Sequence, residues 1–405
     1  MNLSYFISNR ISKNSAGTFS TTINRIAVVS TGLGLAVLII AFMVLYGFKA
    51  EIKNKIYSFS GHLIINKYTL STSFEESSIT VSDTLIRLLE SYELTDTFQP
   101  YAMKAGLLKT SEEVQGVIIK GVDSRFDTAG FSRHLVAGRF PDLSQEKYST
   151  DVALSKKIAN YLDLSVGEEV LIYFVQNPPR YRPLQVVGIY ETGLEEFDEK
   201  MIMGDLDLIR RMNNWKSDQA GGIEVFVKDP KQMEEAERHL FNTVGIDLYV
   251  DKVTDKYVQI FDWLNLLNRN VVILLTIILF VVGTSIISIL LILIMERTQM
   301  IGLMRAVGAP NKLIRSVFIW NGIRLILRGL LWGNVIGIGV GLIQKYFQII
   351  PLDAANYYMS HVPIALDLPT IIWLNLLVLV IIGLTLFLPV TIIARVQPVK
   401  AIRFD

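Results

Sequence analysis

ERTQMIGLMRAVGAPNKLIR, from Glu296 to Arg315, lies between two long apolar runs and organises the rest of the chain. Apolar and basic residues are interleaved in it, and Gly308 followed by Ala309 and Pro310 predicts the end of one helix and the start of another. Basic residues beside membrane spans are typical of the cytoplasmic side. We therefore predict a short, hinged cytoplasmic helix over residues 296–315, which a soluble partner could reach.

The composition indicates a membrane protein, because 51% of the 405 residues are apolar. Residues 49–270 contain 26 Lys and Arg against 34 Asp and Glu, whereas the segments that we predict inside the cell contain 10 against 2. This asymmetry follows the positive-inside rule. Nothing in the charge distribution indicates that the chain binds nucleic acid.

Several kinds of chemistry are absent from the sequence. There is no cysteine, which excludes disulfides and thiolate sites, and the four histidines form no H-E-x-x-H motif, so we predict no metal site. No phosphate-binding loop of the type G-x-x-x-x-G-K-[ST] occurs, and the predicted spans contain no acidic residue for proton or sodium coupling. We predict a chain that is not an enzyme and binds no cofactor. Either a partner supplies its energy, or it transports nothing.

Four apolar segments are long enough to cross a bilayer as helices, with both termini inside. Pro389 predicts a kink at the cytoplasmic end of the last span. A cleaved signal peptide is the alternative for the N-terminus, but the polar lead-in is long and no small-residue cleavage site follows. The predicted segments are an amphipathic helix over 1–25, spans over 26–48, 271–295, 316–344 and 371–394, an external region over 49–270, an external loop over 345–370 and a cytoplasmic tail over 395–405.

The external region over 49–270 alternates strand and helix patterns, which predicts an α+β fold. The predicted strands include HLIINKY, VQGVIIKGV, EEVLIYFV, LQVVGIY and GIEVFVK, and the predicted helices include SDTLIRLLESYE, SKKIANYLDL, LDLIRRMNN and KQMEEAERHLFNTV. Because the chain enters and leaves beside the membrane, we predict a membrane-proximal lobe over 49–104 and 221–270 with a second lobe, 105–220, inserted into it.

A proline-rich segment, QNPPRYRP, lies between two of these strands and predicts a projecting hairpin. We expect Arg180, Tyr181 and Arg182 to point outward from a tip that Pro178 and Pro179 stiffen. Tyr and Arg often anchor protein interfaces, so docking of a partner is one interpretation. A plain solvated loop is the other.

The third span carries two patterns of its own. Gly329, Gly333, Gly337 and Gly341 recur every fourth residue and predict a smooth ridge for close helix packing, either within one subunit or between subunits. Arg324 and Arg328 lie one turn apart in its cytoplasmic half. We favour snorkelling to the headgroups over a substrate or ion role for this pair, because no acidic residue lies in any span.

The segment GLGLAVLIIAFMVLYGFKAEIKNKIYSFSGH resembles the first span and exit helix of the lipoprotein-releasing ABC transporter permeases of the LolC/LolE type. The residues that carry this resemblance are Gly32, Gly34, Ala36, Gly47, Phe48, Glu51, Ile56 and His62. The segment ERTQMIGLMRAVGAP resembles the coupling loop of the wider FtsX-like, MacB-type permease superfamily, and QPVKAIRFD completes the likeness. The resemblance implies an α-helical membrane protein with four transmembrane helices and a large α+β periplasmic domain inserted between helices 1 and 2.

The resemblance also implies partners in the bacterial inner membrane and on both sides of it. Two copies of a separate ABC ATPase subunit would bind ATP and Mg and receive the coupling helix, while Met300 departs from the acidic residue usual in the superfamily. A second permease subunit, identical or paralogous, would complete the complex, and a hook matching Pro178–Arg182 would capture a periplasmic lipoprotein carrier. The implied coupling residues are Glu296, Arg297, Gly302, Arg305, Gly308 and Ala309.

The substrate implied by the family is a lipoprotein taken from the outer leaflet of the membrane. We expect apolar residues near the external ends of the first two spans to contact its acyl chains and surrounding membrane lipid, and the candidates are Val44, Phe48, Phe261, Leu264 and Leu267. Two alternatives remain: a MacB-like tripartite efflux permease for drugs or peptides, and an FtsX-like signalling protein that activates an envelope hydrolase. The external region of about 220 residues is large for the signalling alternative.

Overall fold

A computed structural model of the chain describes residues 19–67, 76–143, 148–176, 178–353, 357 and 359–392. The chain divides into two compact units, the first containing described residues of 19–50, 263–351 and 361–392, and the second formed by Glu51–Asp262 and Leu352–Ser360. Most of the predicted N-terminal amphipathic helix and the tail over 395–405 lie outside the described residues. Each unit is considered separately below.

The helices and strands are numbered here in chain order. The helices are α1 Phe19–Ser60, α2 Asp83–Ser91, α3 Thr128–Phe131, α4 Lys156–Tyr161, α5 Glu195–Asp198, α6 Leu206–Asn213, α7 Met233–Thr243, α8 Val253–Lys256, α9 Val258–Glu296, α10 Thr298–Ala306, α11 Asn311–Phe347, α12 Leu368–Thr385 and α13 Phe387–Ile392. The strands are β1 Leu63–Lys67, β2 Ile79–Thr80, β3 Thr95–Lys109, β4 Val114–Val122, β5 Leu135–Gly138, β6 Asp151–Ser155, β7 Glu169–Phe174, β8 Arg180–Tyr190, β9 Met201–Asp205, β10 Gln219–Ala220, β11 Gly222–Val227 and β12 Leu248–Lys252.

Long apolar helices dominate the first unit. α1, α9, α11 and the α12–α13 pair are each long and apolar enough to cross a membrane, which confirms the four predicted apolar helices. The fourth is interrupted at Leu386, between α12 and α13. Pro389 explains this break, because its ring displaces the carbonyl four residues earlier and it has no N–H to donate.

Glycines bring α11 close to α1 in the first unit. A Cβ added to Gly333 would lie 2.8 Å from the carbonyl oxygen of Gly32 and 2.9 Å from Cβ of Leu35. Along the same ridge, Gly329 lies against Thr31, Gly337 against Ala36 and Ile39, and Gly341 against Met43. The ridge therefore packs within this chain, with α1 and α11 running in the same direction.

Two amides link α11 to α12. Asn334 Nδ2 donates to Asn375 Oδ1 at 2.7 Å, and Asn375 Nδ2 donates back to Asn334 Oδ1 at 2.9 Å. Each amide also donates to the carbonyl four residues earlier on its own helix. A reciprocal pair satisfies polar groups that hydrocarbon would leave without partners, so it fixes the register of these two helices.

The second unit is built on one sheet of ten strands. Its order is β12-β1-β11-β3-β4-β9-β6-β8-β5, and β7 pairs with both β3 and β8. The strands β3, β4, β9, β6, β8 and β7 thus pair in turn and return to β3. The helices α4 and α6 contribute Ile158, Leu206 and Ile209 to the buried core of this ring. The patterns predict an α+β region, and the structure shows a domain in which strands and helices are mixed.

The predicted boundary between two lobes falls inside β3. This long strand pairs with β11 through residues 95–101 and with β4 through residues 101–109, so one sheet crosses residue 104 without interruption. The elements predicted from sequence patterns are present: β1, β4, β7, β8 and β11 as strands, and α2, α4, α6 and α7 as helices. The division into two lobes itself stays a prediction.

Candidate functional site

The segment over residues 296–315 forms a short helix between two turns, as predicted. α9 ends at Glu296, α10 covers Thr298–Ala306, and α11 begins at Asn311. Gly308 adopts φ +90°, a left-handed conformation that suits glycine and ends α10. Pro310 follows in an extended conformation directly before α11, where its fixed φ suits a helix start. The turn chemistry therefore sets the angle between α10 and α11.

One side of α10 is packed against the long helices of the first unit. Ile301 is fully buried and belongs to an apolar cluster with Leu293 and Ile294 of α9 and with Ile314 and Phe318 of α11. Met300, Met304 and Ala309 pack on the edge of the same cluster. A force on α10 would therefore reach both α9 and α11 directly.

The opposite side of α10 exposes apolar side chains. Leu303 is 64% exposed and Val307 is 82% exposed, and Gln299, Ala306 and Gly308 are exposed beside them. Residues 299, 303, 306 and 307 share one helix face by their spacing. An exposed apolar stripe on a short helix is typical of a surface that a partner covers. We call Gln299, Leu303 and Val307 the outer face of α10.

The predicted coupling residues are divided between these two sides. Glu296 and Gly308 are exposed, Arg297, Arg305 and Ala309 are half-buried, and Gly302 is buried. Arg305 Nη2 donates to Asn311 Oδ1 at 2.9 Å, which ties the end of α10 to the start of α11. Met300 contributes packing to the apolar cluster. Leu303 was missed from the sequence, although its spacing of four from Val307 is the signal that identifies it.

The proline-rich segment forms a hairpin, as predicted. β7 and β8 pair in antiparallel register, with Tyr173 opposite Tyr181 and Phe174 opposite Arg180. The two tyrosine rings lie 5.9 Å apart, and Tyr181 is 61% exposed. Val175, at the start of the tip, is 81% exposed. The hairpin thus presents an aromatic pair and an apolar tip residue to the surroundings of the second unit.

Arg180 does not point outward, which corrects the sequence expectation. Its guanidinium donates to the carbonyl of Met212 at 3.0 Å and to Asn214 Oδ1 at 3.2 Å. These acceptors lie at the C-terminal end of α6, where carbonyl groups lack intrahelical partners and favour a cation. Arg180 therefore attaches the base of the hairpin to α6. Arg182 is half-buried and donates to the carbonyl of Tyr181 at 2.7 Å.

Two of the five residues predicted to contact acyl chains are buried. Phe261 is only 8% exposed and contacts the ring of Tyr57 in the second unit, and Leu264 is fully buried in the first. The first turns of α9 also carry polar residues, including Asp262, Asn265 and Arg269. The exposed apolar residues in this part of α9 are instead Trp263 and Leu266, which are 39% and 52% exposed. Val44, Phe48 and Leu267 are half-buried, and the Phe48 ring lies 5.7 Å from that of Trp263.

A buried polar cluster holds the last turn of α1 in the second unit. Lys120 Nζ lies 2.6 Å from Glu224 Oε1 and also donates to the carbonyl of Phe59. Gln99 Nε2 donates to the other Glu224 oxygen at 2.7 Å. Burial lowers the pKa of Lys120, while Glu224 opposes that shift. The cluster fixes the end of α1 by charge and by hydrogen bonds.

No group of acidic, histidine or cysteine side chains that could hold a metal ion occurs in the described part of the chain. The clusters described above contain packing residues, hydrogen-bonding groups and exposed apolar residues. Such residues suit the binding of partners and the transmission of movement between helices.

Two family models match the chain. The MacB-like periplasmic core domain matches residues 26–240, and the FtsX-like permease C-terminal domain matches residues 272–398. The two matches leave residues 241–271 between them. This interval contains the start of α9 and residue 263, at which the first unit resumes after the second.

Curated proteins from several bacteria are similar over nearly the whole chain. The lipoprotein-releasing system transmembrane protein LolC of Neisseria meningitidis is 22% identical, and the alignment covers 96% of this chain and 95% of that protein. LolE of Haemophilus influenzae is 23% identical over 99% of each chain. The periplasmic region of MacB from Actinobacillus actinomycetemcomitans is a similar solved structure with 16% identity and a TM-score of 0.35, covering 49% of this chain and 91% of that one.

Proposed function

This chain belongs to the FtsX-like permeases with a MacB-like periplasmic core domain, in the lipoprotein-releasing LolC/LolE group, and from that premise we propose its role. It is the permease subunit of an ABC transporter in the bacterial inner membrane that extracts lipoproteins from the outer leaflet and passes them to a periplasmic carrier. ATP and Mg bind to a separate ATPase subunit in two copies. This chain is not catalytic and does mechanical work.

The observation that carries the mechanical part of the proposal is the two-sided packing of α10. Its buried side, through Ile301, contacts both α9 and α11, and its outer face exposes Leu303 and Val307. An ATPase that covers the outer face can therefore move α10, and the apolar cluster passes this movement to α9. A packed cluster transmits displacement because it cannot deform continuously.

We expect α1 and α9 to carry that movement toward the second unit. Each is a single unbroken helix, Phe19–Ser60 and Val258–Glu296, and each contributes residues to both units. At the far ends, Lys120 holds the Phe59 carbonyl, and Ser60 Oγ lies 3.2 Å from the hydroxyl of Tyr257. These contacts join the end of α1 to the sheet and to the residue that precedes α9.

We assign the substrate and carrier surfaces from the exposed residues on α1 and α9 and on the hairpin. We propose that the acyl chains contact Val44, Phe48 and Leu267, together with Trp263 and Leu266, which replace the buried Phe261 and Leu264. The hairpin tip, with Val175, Pro178, Pro179 and Tyr181, docks the carrier. The apolar character of both surfaces supports these roles. The second permease subunit is either another copy of this chain or a paralogue.

Depletion of the chain in cells tests the proposal. We expect lipoproteins destined for the outer membrane to accumulate in the inner membrane, as measured by separating the membranes and following pulse-labelled lipoproteins. Restoring the wild-type chain should restore their transfer, whereas the Leu303→Asp variant should not. If lipoproteins reach the outer membrane at the normal rate without the chain, the proposed substrate is wrong.

A further inference from the structure

A groove of about 570 Å³ runs between α1 and α11 in the first unit. Arg25 and Arg328 lie at its polar end, and Val29, Leu33, Trp332 and Ile336 line the remainder. It is distinct from the outer face of α10 and from the proposed acyl-contacting residues. None of the roles described above uses it.

α1 and α11 each present one row of residues to this groove, and in both rows an arginine precedes the apolar residues. On α1 the row is Arg25, Val29 and Leu33, and on α11 it is Arg328, Trp332 and Ile336. Residues four apart lie on the same helix face, so each row is a stripe with a cation at its beginning and apolar side chains after it.

The two rows lie side by side and run in the same direction. The position of a Cβ on Gly32 is 3.2 Å from the carbonyl oxygen of Gly329 and 3.5 Å from the amide nitrogen of Gly333. Contacts farther along pair later residues of α1 with later residues of α11, up to Met43 against Gly341. The two arginines are therefore at the same end of the groove. In the predicted topology this end faces the cytoplasm.

The side chains of both rows are open to a ligand. Val29, Leu33 and Trp332 are 56%, 52% and 55% exposed. Within the described residues, neither Arg25 nor Arg328 takes part in an ion pair, so two guanidinium groups leave the polar end cationic. Basic pockets between transmembrane helices on the cytoplasmic side suit anionic lipid headgroups. Arginine forks match phosphate geometry.

We propose that this groove binds a net-negative diacylglycerophospholipid, such as phosphatidylglycerol, from the cytoplasmic leaflet. Its phosphate lies between Arg25 and Arg328, and one acyl chain follows Val29, Leu33, Trp332 and Ile336. Two cations without acidic partners favour a headgroup with net negative charge over a zwitterionic one. This site is separate from the lipoprotein pathway proposed above, and it gives Arg328 a ligand in place of simple snorkelling.

Quenching of Trp332 by brominated lipid tests the site. The purified complex that contains the full chain is placed in bilayers with a small fraction of either brominated phosphatidylglycerol or brominated phosphatidylcholine. The Trp332 signal is the difference between the wild type and Trp332→Phe. We expect brominated phosphatidylglycerol to quench Trp332 with a roughly tenfold higher apparent affinity than brominated phosphatidylcholine, because two basic residues attract its headgroup.

Variants then distinguish lipid binding in this groove from attraction of the lipid by general surface charge. The double variant Arg25→Gln/Arg328→Gln should abolish the preference for phosphatidylglycerol, whereas Arg25→Lys/Arg328→Lys should keep most of it. Arg324→Gln is the matched control, because it removes the same charge one turn away without lining the groove, and it should keep the preference. Equal quenching by the two lipids in the wild type would overturn the proposal, as would a preference that survives the double Gln variant. Protection of Trp332 from both lipids would show that residues 1–18 or a second permease subunit fills the groove instead.

Discussion

Lys120 and Glu224 form a buried ion pair in the second unit, with 2.6 Å between Nζ and Oε1 and almost no exposure of either side chain. Lys120 also donates to the carbonyl of Phe59, near the end of α1, and its ammonium lies 5.3 Å from the ring centroid of Tyr101. The pair thus connects the sheet strands β4 and β11 to the last turn of a helix of 42 residues.

Removing one member of this pair should destabilise the chain strongly. Glu224→Leu leaves an ammonium group buried without its partner, which costs about 3–5 kcal/mol of the free energy of unfolding. The double variant Lys120→Met/Glu224→Leu should lose clearly less, because no charge stays buried. Urea unfolding of the intact chain measures both values. A double variant no more stable than the single one would show that the fold requires the ion pair itself.

The glycine ridge offers a matched pair of substitutions on one helix. Gly333→Leu forces a side chain into the carbonyl of Gly32 and into Leu35, so we expect a loss of about 1–3 kcal/mol or a failure to assemble. Gly339→Leu is the control, since nothing lies within 4 Å of a Cβ at that position. Thermal unfolding of both variants in detergent makes the comparison. Equal midpoints would contradict the packing of α11 against α1.

His62 should make the stability of the chain depend on pH. Burial lowers its pKa from 6.5 to about 4, and its Nδ1 accepts a hydrogen bond from the Val227 amide at 3.1 Å. The folded state therefore binds fewer protons than the unfolded state between these values. Its stabilising contribution is complete above pH 6.5 and is lost as the pH falls toward 4, by about 3 kcal/mol in all.

The measurement for His62 is the urea midpoint between pH 7 and pH 4.5. His62→Asn keeps a hydrogen-bond acceptor near Val227 but cannot be protonated, so it should remove the part of the dependence that His62 contributes. A wild-type slope that His62→Asn does not change would assign the pH dependence to other groups.

Charge on the outer face of α10 should uncouple ATP hydrolysis from transport. Leu303→Asp and Val307→Asp place a carboxylate where we propose an apolar contact with the ATPase, and we expect at least a tenfold loss of release, corresponding to roughly 1.4 kcal/mol of contact energy. Leu303→Met preserves the apolar surface and should remain active. ATP hydrolysis, release and co-purification of the ATPase are measured together. Normal release by both Asp variants would exclude this face as the contact.

The hairpin should be the docking site of the carrier. A photo-crosslinking residue at Val175 or Tyr181 should trap a soluble periplasmic protein, whereas one at Ile246, a fully exposed position in the same unit, should not. Arg180→Ala removes the attachment of the hairpin to α6 and should weaken trapping several-fold by loosening its base. Equal trapping at Ile246 and Tyr181 would count against the hairpin.

Local chemistry in the sequence was enough to predict the hinged α10, because Gly308 and Pro310 act through their own backbone angles. The four apolar helices and five of the strands, β1, β4, β7, β8 and β11, followed from length and periodicity. By contrast, the contact between Arg180 and the end of α6 joins residues about thirty positions apart, and no local pattern encodes it. The buried positions of Phe261 and Leu264 were missed for a related reason, since their burial depends on side chains that are distant in sequence, such as Tyr57 against Phe261. Strand β3 extends across the boundary between the two predicted lobes. Its pairing with β11 and with β4 shows this, and the sequence of β3 alone does not.

ATP-driven release of a lipoprotein from proteoliposomes tests the central claim most directly. The liposomes contain this chain, its ATPase and any partner permease, with a labelled triacylated lipoprotein in the bilayer and a soluble carrier outside. We predict that ATP transfers the lipoprotein to the soluble fraction, that transfer requires both the carrier and the wild-type outer face of α10, and that Leu303→Asp abolishes it. If the assembled complex hydrolyses ATP while the lipoprotein stays in the bilayer, the chain is not a lipoprotein-releasing permease.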